Sequence, residues 1–418
     1  MSAWDLVVVG AGPAGAATAL GALKQDPCLR VLLLDRADFP RDKCCGDGIA
    51  PHVLDVLEQV GAGSVVDGWT PLTRLELARG DHTVTGALAR PVHVIPRAVF
   101  DTRLVECAVA AGATLRRQRV TRVDVPEAGA LGPVVLHCSP APRTSSVRIE
   151  ARVVVGADGA HSLVRSRVLP DAAGHRALAI RGYAPTSARR AGRQVIRYGD
   201  RRQPSYAWAF DRGDGLSNIG YGELVDDARD PAGVALTRAV LLAQLERLLP
   251  GALEGATCWR GHHLPLSGWT HQQPDGPVLL VGDAAGLVNP MTGEGIYYAV
   301  ATGVLAGRAA AAALAGSDPD AAGARHRVAV RRLLGTHLRH TWVASRLSRS
   351  PAVVDAGIRA ASSSPQVFDD LVEIGLGDGR ITSRLAAGLA RGLLHRREPE
   401  YPADYTATPP PLPSQEPQ

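Results

Sequence analysis

Lysine is nearly missing from this chain. Lys24 and Lys43 are the only lysines, and the rest of the 46 basic residues are arginines. Aromatic residues are also scarce, at 4% of 418. Nucleic-acid binding draws on a basic stripe with interleaved aromatics. Here the arginines are scattered, with small clusters at Arg116-Arg117, Arg189-Arg190, Arg331-Arg332 and Arg396-Arg397, so no nucleic-acid partner is expected. Cysteines 28, 44, 45, 107, 138 and 258 form no CxxC pair and no regular framework, which points to a reducing compartment. No run of 18 apolar residues is free of charge, because Arg308 interrupts the alanine-rich stretch Ala299 to Ala315. The first strand begins almost at once after Met1, without the pattern of a signal peptide. A cytoplasmic protein is expected. It is not expected to span a membrane, and it is left open to peripheral contact with the membrane's inner face.

What is present is ordinary globular material: 45% hydrophobic, 21% charged, net charge +5. That suffices for two domains sharing one long chain. The apolar run Leu6 to Val9 leads into Gly10-Ala-Gly12-Pro-Ala14-Gly15, then a helix to about Lys24, then a second strand, Val31 to Leu34, ending in Asp35. This is the dinucleotide fingerprint in its proper strand–helix–strand setting. Gly10 allows the tight turn, Gly12 a close approach of backbone to pyrophosphate, and Gly15 packing of the helix on the strand. Asp35 suits an adenosine ribose. Arg36 beside it is a weaker pointer to a 2′-phosphate. A helix N-terminus supplies unpaired N–H groups for the phosphates.

Two later stretches repeat the pattern of a strand closing on an acid between glycines. Val153 to Val155 ends in Gly156-Ala-Asp158-Gly159, and a short helix is expected over His161 to Arg167. Val278 to Val281 ends in Gly282-Asp283, and Thr292-Gly293-Glu294-Gly295 opens a helix toward Ala315. One parallel sheet therefore takes strands from near 5, 32, 154 and 279.

The intervening chain is read as follows. Lys43-Cys-Cys45-Gly46-Asp47-Gly48 is a loop, with Cys45 free or, less favourably, in a strained vicinal disulfide with Cys44. Arg97 starts a helix, Phe100 to Ala111, with Asp101 as an i,i+4 partner. Strands are expected near 114–125, 134–138 and 147–151. Alternating segments Leu178–Tyr183, Gln194–Tyr198, Tyr206–Phe210 and Ser217–Gly222 predict an antiparallel sheet. A helix over Ala232 to Leu249 and a strand over Thr257 to Leu264 follow. Tyr206, Trp208 and Phe210 share one face of a strand, either as core or as a cavity wall. Helices are expected over 292–315, 319–347, 351–362, 365–375 and 380–395. The last is amphipathic and basic, either packed on the body or facing an anionic membrane. Residues 398–418 form a proline-rich tail expected to be disordered.

The expected fold class is α/β: a Rossmann-type domain in discontinuous segments, with an antiparallel-sheet substrate domain and a C-terminal helical region. Residues 1–169 form the first part of the dinucleotide domain, including a strand-rich insertion near 70–95. Residues 170–270 form the substrate domain, 271–316 the second part of the dinucleotide domain, 317–397 the helical region and 398–418 the tail.

The pieces Gly10–Gly15 with Asp35, Lys43–Gly48, Gly156–Gly159 and Gly282–Ile296 resemble those of the geranylgeranyl reductase family, flavoproteins shaped like p-hydroxybenzoate hydroxylase. NPMTGEGIYYA (Asn289 to Ala299) resembles its second flavin motif, KCCGDGI (Lys43 to Ile49) its cysteine–glycine loop, and Tyr206-x-Trp208-x-Phe210 with Asn218-Ile-Gly220-x-Gly222 its substrate-domain signature. The resemblance spans about residues 4 to 395. It implies FAD as cofactor, with NADPH or a ferredoxin as reductant. It implies a cofactor site of Gly10, Gly12, Ala14, Gly15, Asp35, Arg36, Cys45, Gly46, Gly48, Arg97, Val120, Asp158, Gly282, Asp283, Gly295 and Ile296. Tyr206, Trp208, Phe210 and Pro290 would face a lipophilic substrate. The implied reaction adds a hydride from reduced flavin and a proton across an isoprenoid double bond, with Tyr206 or Cys45, or a water they hold, as proton donor. Two positions depart from the family pattern, Asp211 for a proline and Ala50 for a threonine, and both are expected to lie toward the substrate. A monooxygenase of the same fold is the alternative. A halogenase would call for a second tryptophan motif and a placed lysine, which are not found. A flavin-binding electron relay is a third reading.

Overall fold

A computed structural model describes residues 3–127, 132–139, 147–170, 176–225 and 236–394. The chain opens with β1 (Trp4–Val9), α1 (Pro13–Gln25) and β2 (Val31–Asp35). A short β3 (Gly48–Ile49), α2 (Pro51–Glu58) and the hairpin β4 (Leu72–Arg79) and β5 (His82–Val94) follow. Next come α3 (Arg97–Ala110), β6 (Thr114–Arg117), β7 (Arg119–Asp124), β8 (Val134–Ser139), β9 (Val147–Gly156) and α4 (Leu163–Val168). The second half begins with β10 (Arg176–Pro185), β11 (Gln194–Tyr198), β12 (Tyr206–Asp211) and β13 (Leu216–Val225). It continues through α5 (Arg238–Leu248), β14 (Thr257–Pro265) and β15 (Val278–Leu280). Helices α6 (Ile296–Ala315), α7 (Ala321–Leu347), α8 (Pro351–Ser363), α9 (Pro365–Leu376) and α10 (Ser383–Leu394) complete it.

The first sheet has the order β6-β2-β1-β9-β8-β7, with β15 also on β9. β6, β2, β1, β9 and β15 are parallel neighbours. β9 serves twice: Val153 to Gly156 pair with β1, and Val147 to Ala151 pair antiparallel with β8. The two strands expected around 147–155 are therefore one. Its central strands are apolar throughout because helices cover one face and the β7–β8 arm and α4 the other.

The second sheet runs β14-β10-β13-β12-β11-β4-β5-β3. It is antiparallel except where β11 pairs with β4. This corrects one expectation. The strand-rich insertion near 70–95 is not a local addition to the first domain; β4 and β5 extend the second sheet. Alternation alone shows that a strand has one buried face, not which sheet edge it joins.

Three helix starts also differ from expectation. α6 begins at Ile296, because residues 292–295 are spent on a tight loop in which the Asn289 N–H reaches the Glu294 carbonyl at 2.7 Å. α5 begins at Arg238, where Thr237 accepts the Val240 N–H; the expected residues 232–235 lie outside the described residues. α3 begins at Arg97, ahead of Phe100, just after Pro96. The expected tail and position 395 also lie outside the described residues.

α6 is the one described helix long and apolar enough to cross a membrane, and 72% of its most apolar window is buried. Its small residues have a packing cause. A Cβ at Gly303 would sit 2.4 Å from the Ala14 carbonyl oxygen, and one at Gly307 2.1 Å from that of Thr18. α6 therefore lies nearly backbone-to-backbone on α1, and this brings the Gly282–Ala299 stretch beside the β1–α1 turn.

Candidate functional site

One cavity of about 1090 Å³ is walled by both sheets and by α7 to α10. At one end stand Gly10, Gly12 and Ala14 of the β1–α1 turn, with Asp35, Arg36, Val120 and Asp158. Gly10 has φ 99°, and a Cβ there would lie 2.3 Å from the Ala157 carbonyl oxygen, so the turn requires glycine. No side chain caps α1, leaving its first N–H groups to a ligand. Asp35 is held rigid by the Ala11 and Ala37 N–H groups, both at 2.9 Å. An uncapped helix start, a turn closed to any Cβ and a fixed carboxylate at the end of β2 fit the diphosphate and ribose of FAD.

Arg41 crosses this end, 3.1 Å from Asp101 and 3.7 Å from Asp35. Arg97, on the cavity wall, grips Asp101 with two bonds of 2.6 and 2.8 Å. The expected i,i+4 pair is present and is buried: the side chains are 6% and 0% exposed. Lys43 reaches Asp283 at 2.8 Å. Burial works against the Asp283 charge, but Lys43 outweighs it and holds the carboxyl below its usual range.

The cysteine–glycine loop is tied to the second sheet by polar bonds. Asn218 donates to the Cys45 carbonyl at 2.9 Å and to Asp47 at 2.8 Å, and accepts from the Trp208 indole at 2.7 Å. Tyr183 donates to Asp47 at 2.6 Å. Burial raises Asp47 to about 6. Arg181, fully buried, binds Asp42 and the Lys43 carbonyl. Gly220 is needed because a Cβ would strike the Trp208 ring at 2.2 Å. The signature Asn218-Ile-Gly220 therefore seats the indole and holds the loop. Cys44 and Cys45 are both free thiols, and burial raises both, Cys44 to about 12.

Tyr206, Trp208 and Phe210 do share one face of β12 and line the cavity, with successive ring centroids 5.9 and 6.4 Å apart. The Tyr206 hydroxyl donates to the Thr292 carbonyl, fastening the sheet to the loop before α6. Burial moves its phenol well up. Pro290, buried, stands on the wall beside it. Beyond these rings the cavity becomes an apolar slot between Leu75, Leu77 and Ile196 of the sheet and Ile358, Leu371 and Leu389 of the last helices.

Gly46, Gly48, Gly295 and Ile296 also line the cavity, as do the other expected site residues apart from Gly15 and Gly282. Those two lie behind the wall. A Cβ at Gly15 would sit 1.8 Å from the Gly10 carbonyl oxygen, and Gly282, at φ 53°, packs against Ala299. Asp158 spends its carboxylate on Ser162 and on the N–H groups of Leu163 and Val164, at the start of α4. Asp211 is corrected: it does not face the substrate side. It accepts the Gly192 and Gly213 N–H groups at 2.6 and 2.9 Å and shapes turns outside the cavity. Ala50 does line the cavity.

Sequence reading missed Arg41 and the whole helical side of the slot, and it named Asp101 only as a helical ion-pair partner and Glu294 only as part of the stretch that opens α6. Glu294 had a signal, an acid between two glycines at a helix start; α8 to α10 offered only ordinary amphipathic patterns.

Known proteins resemble this chain in sequence and in fold. The family described as FAD binding domain matches residues 3–204. A menaquinone reductase of Mycolicibacterium smegmatis is 33% identical over 319 residues, covering 72% of this chain and 75% of the relative. A geranylgeranyl diphosphate reductase of Rhodobacter capsulatus is 31% identical over 329 residues, covering 76% and 77%. A solved geranylgeranyl bacteriochlorophyll reductase-like protein of Thermoplasma acidophilum superposes with TM-score 0.77 at 19% identity, covering 94% and 98%. The last similarity speaks for the fold.

Proposed function

The chain belongs to the geranylgeranyl reductase family of FAD-dependent oxidoreductases, and from that premise we propose that it reduces carbon–carbon double bonds in the isoprenoid chain of a lipophilic substrate. One observation carries the reading: the dinucleotide cleft and the apolar slot are a single cavity, with Cys45, Tyr206 and Pro290 on its wall. FAD supplies the hydride when reduced. An isolated alkene accepts hydride poorly, so the protein must align it and exclude water. The rings of Tyr206, Trp208 and Phe210 and the aliphatic wall of α8 to α10 are suited to that work. The relatives' names span a quinone with a polyprenyl tail and a polyprenyl diphosphate, and their shared chemistry is the isoprenoid double bond.

The reductant in this reading is NADPH, with a ferredoxin as the alternative; Arg36, Arg119 and Arg260 at the polar end of the cavity would attract either anion. The protein works in the cytoplasm, at the inner face of the membrane. What supports this is α10. Its Leu385 and Leu389 line the slot, while Arg391 and Leu394, the latter 82% exposed, face outward from the same helix.

The test is anaerobic incubation of reduced holoenzyme with polyprenyl quinones and polyprenyl diphosphates, followed by mass measurement. Products heavier by two hydrogens are expected. A product that forms only with oxygen and gains one oxygen atom would replace this reading with a monooxygenase.

A further inference from the structure

We infer that Glu294 is the proton carrier of the flavin site: it takes a proton from solvent when the flavin is reduced and gives it to the substrate carbon that the hydride does not reach. The first half needs only a flavin in the cavity. The second half rests on the reductase reading above.

The geometry comes first. Glu294 lines the cavity one residue before the cap of α6, on the loop that leads into that helix. Its carboxylate accepts the Tyr297 N–H at 2.9 Å, so it sits against the positive end of a 20-residue helix. The groups facing it come from every neighbouring element: Arg97 of α3, Cys45 of the loop, Tyr206 of β12, Asp283 after β15, and Tyr298 of α6 itself. Only one of these is a cation, and Arg97 already gives two bonds to Asp101. Lys43 is engaged by Asp283. The Glu294 carboxylate therefore lacks a full counter-charge.

The rival donors fare worse. The Tyr206 hydroxyl gives its proton to the Thr292 carbonyl, and losing it would leave a buried phenolate. The Cys45 thiol is raised by burial, so its thiolate is also disfavoured. Burial raises Glu294 from 4.5 to about 7, against the pull of the Tyr297 and Ile296 N–H groups and of Arg97. It thus exchanges its proton near neutral pH, as a general acid should.

Negative charge added to the cavity strengthens the hold of Glu294 on a proton, because like charges at close range raise a carboxyl's affinity. A flavin reduced by hydride carries that charge. In the following step the hydride forms one new C–H bond. The alkene π pair takes the Glu294 proton and forms the other. Glu294 would be left as carboxylate beside FAD that has given up its hydride; a hydride from reduced nicotinamide and a proton from solvent would reset both.

The experiment is reduced-minus-oxidised infrared difference spectroscopy of the FAD-loaded protein near pH 7, paired with the pH dependence of its midpoint potential. Wild type should gain a protonated-carboxyl band that shifts in D2O, and Glu294→Gln should lack it. Each proton taken up with the electron pair adds about 30 mV per pH unit to the slope. Near pH 7, wild type should therefore be steeper than Glu294→Gln by up to that amount. Single-turnover oxidation of the reduced enzyme by a polyprenyl substrate should slow by roughly 100-fold or more in Glu294→Gln with FAD retained. If Glu294→Gln fails to hold FAD, Glu294→Asp should keep the band at a shifted pH. An unchanged band and slope in the variants overturns the proposal. A lost band with no substrate turnover in wild type keeps proton uptake and sinks the reductase reading instead.

Discussion

Arg97→Met is the sharpest test of how the cleft is held. Arg97 and Asp101 are 6% and 0% exposed, and the two bonds between them are short. Removing the arginine leaves a fully buried carboxylate. Breaking a buried pair from one side costs about 3–5 kcal/mol. Arg41 remains 3.1 Å from Asp101 and is 21% exposed, so the low end of that range applies. An unfolding entropy of about 2.1 cal/mol/K per residue gives a chain of this length roughly 0.9 kcal/mol/K, so ~3 kcal/mol lowers the melting temperature by about 3 °C. Arg97→Met/Asp101→Leu removes both charges and should recover most of the loss, with a coupling of about 2 kcal/mol between the sites. Calorimetry of the apoproteins measures both. Absorbance of bound flavin should show weakened FAD binding in single and double variants alike, because Arg97 lines the cavity in its own right. A single variant costing under about 1 kcal/mol, or a double variant worse than the single, would refute the buried-pair account.

Three further outcomes follow from the same geometry. Asn218→Ala strands the Trp208 indole and weakens the hold on Asp47, and should cost about 2 kcal/mol in urea unfolding and loosen FAD. For Glu294, the folded value near 7 lies above the unfolded 4.5. The native apoprotein thus binds more protons in that window, and stability falls as pH rises from 4.5 to 7. Glu294→Gln should remove this component, gaining up to about 3 kcal/mol over wild type at pH 8 and little at pH 4, as read from urea midpoints; an equal difference at both pH values would contradict it. Gly357 lines the slot, and a Cβ there makes ordinary contact with Leu389 at 3.6 Å. Gly357→Phe should therefore fill the slot, leave FAD binding intact and lower kcat/KM at least tenfold for long polyprenyl substrates more than for short ones.

The α1–α6 packing shows what could be read locally and what could not. Gly12 and Asp35 could be brought to one site from the sequence because a dinucleotide turn is written within about thirty consecutive residues. The small residues of α6 were visible too, but their cause, contact with the α1 backbone at Gly303 and Gly307, lies nearly 300 residues away. Tyr206 is intermediate. Its face was legible from strand period. Its bond to the Thr292 carbonyl, which turns a presumed proton donor into a clasp, was not.

By itself the sequence determined a dinucleotide site and the sheet that carries it, because glycine turns, strand-end acids and two-residue alternation are short-range constraints; FAD came from the family resemblance. Only the tertiary structure decided the rest. It moved β4 and β5 into the second sheet, buried Arg97 on Asp101, turned Asp211 away from the cavity and closed the slot with α8 to α10. It also left Glu294 short of a counter-charge. Burial, charge balance and the choice of sheet edge are sums over residues far apart in the chain, and no local pattern carries such a sum.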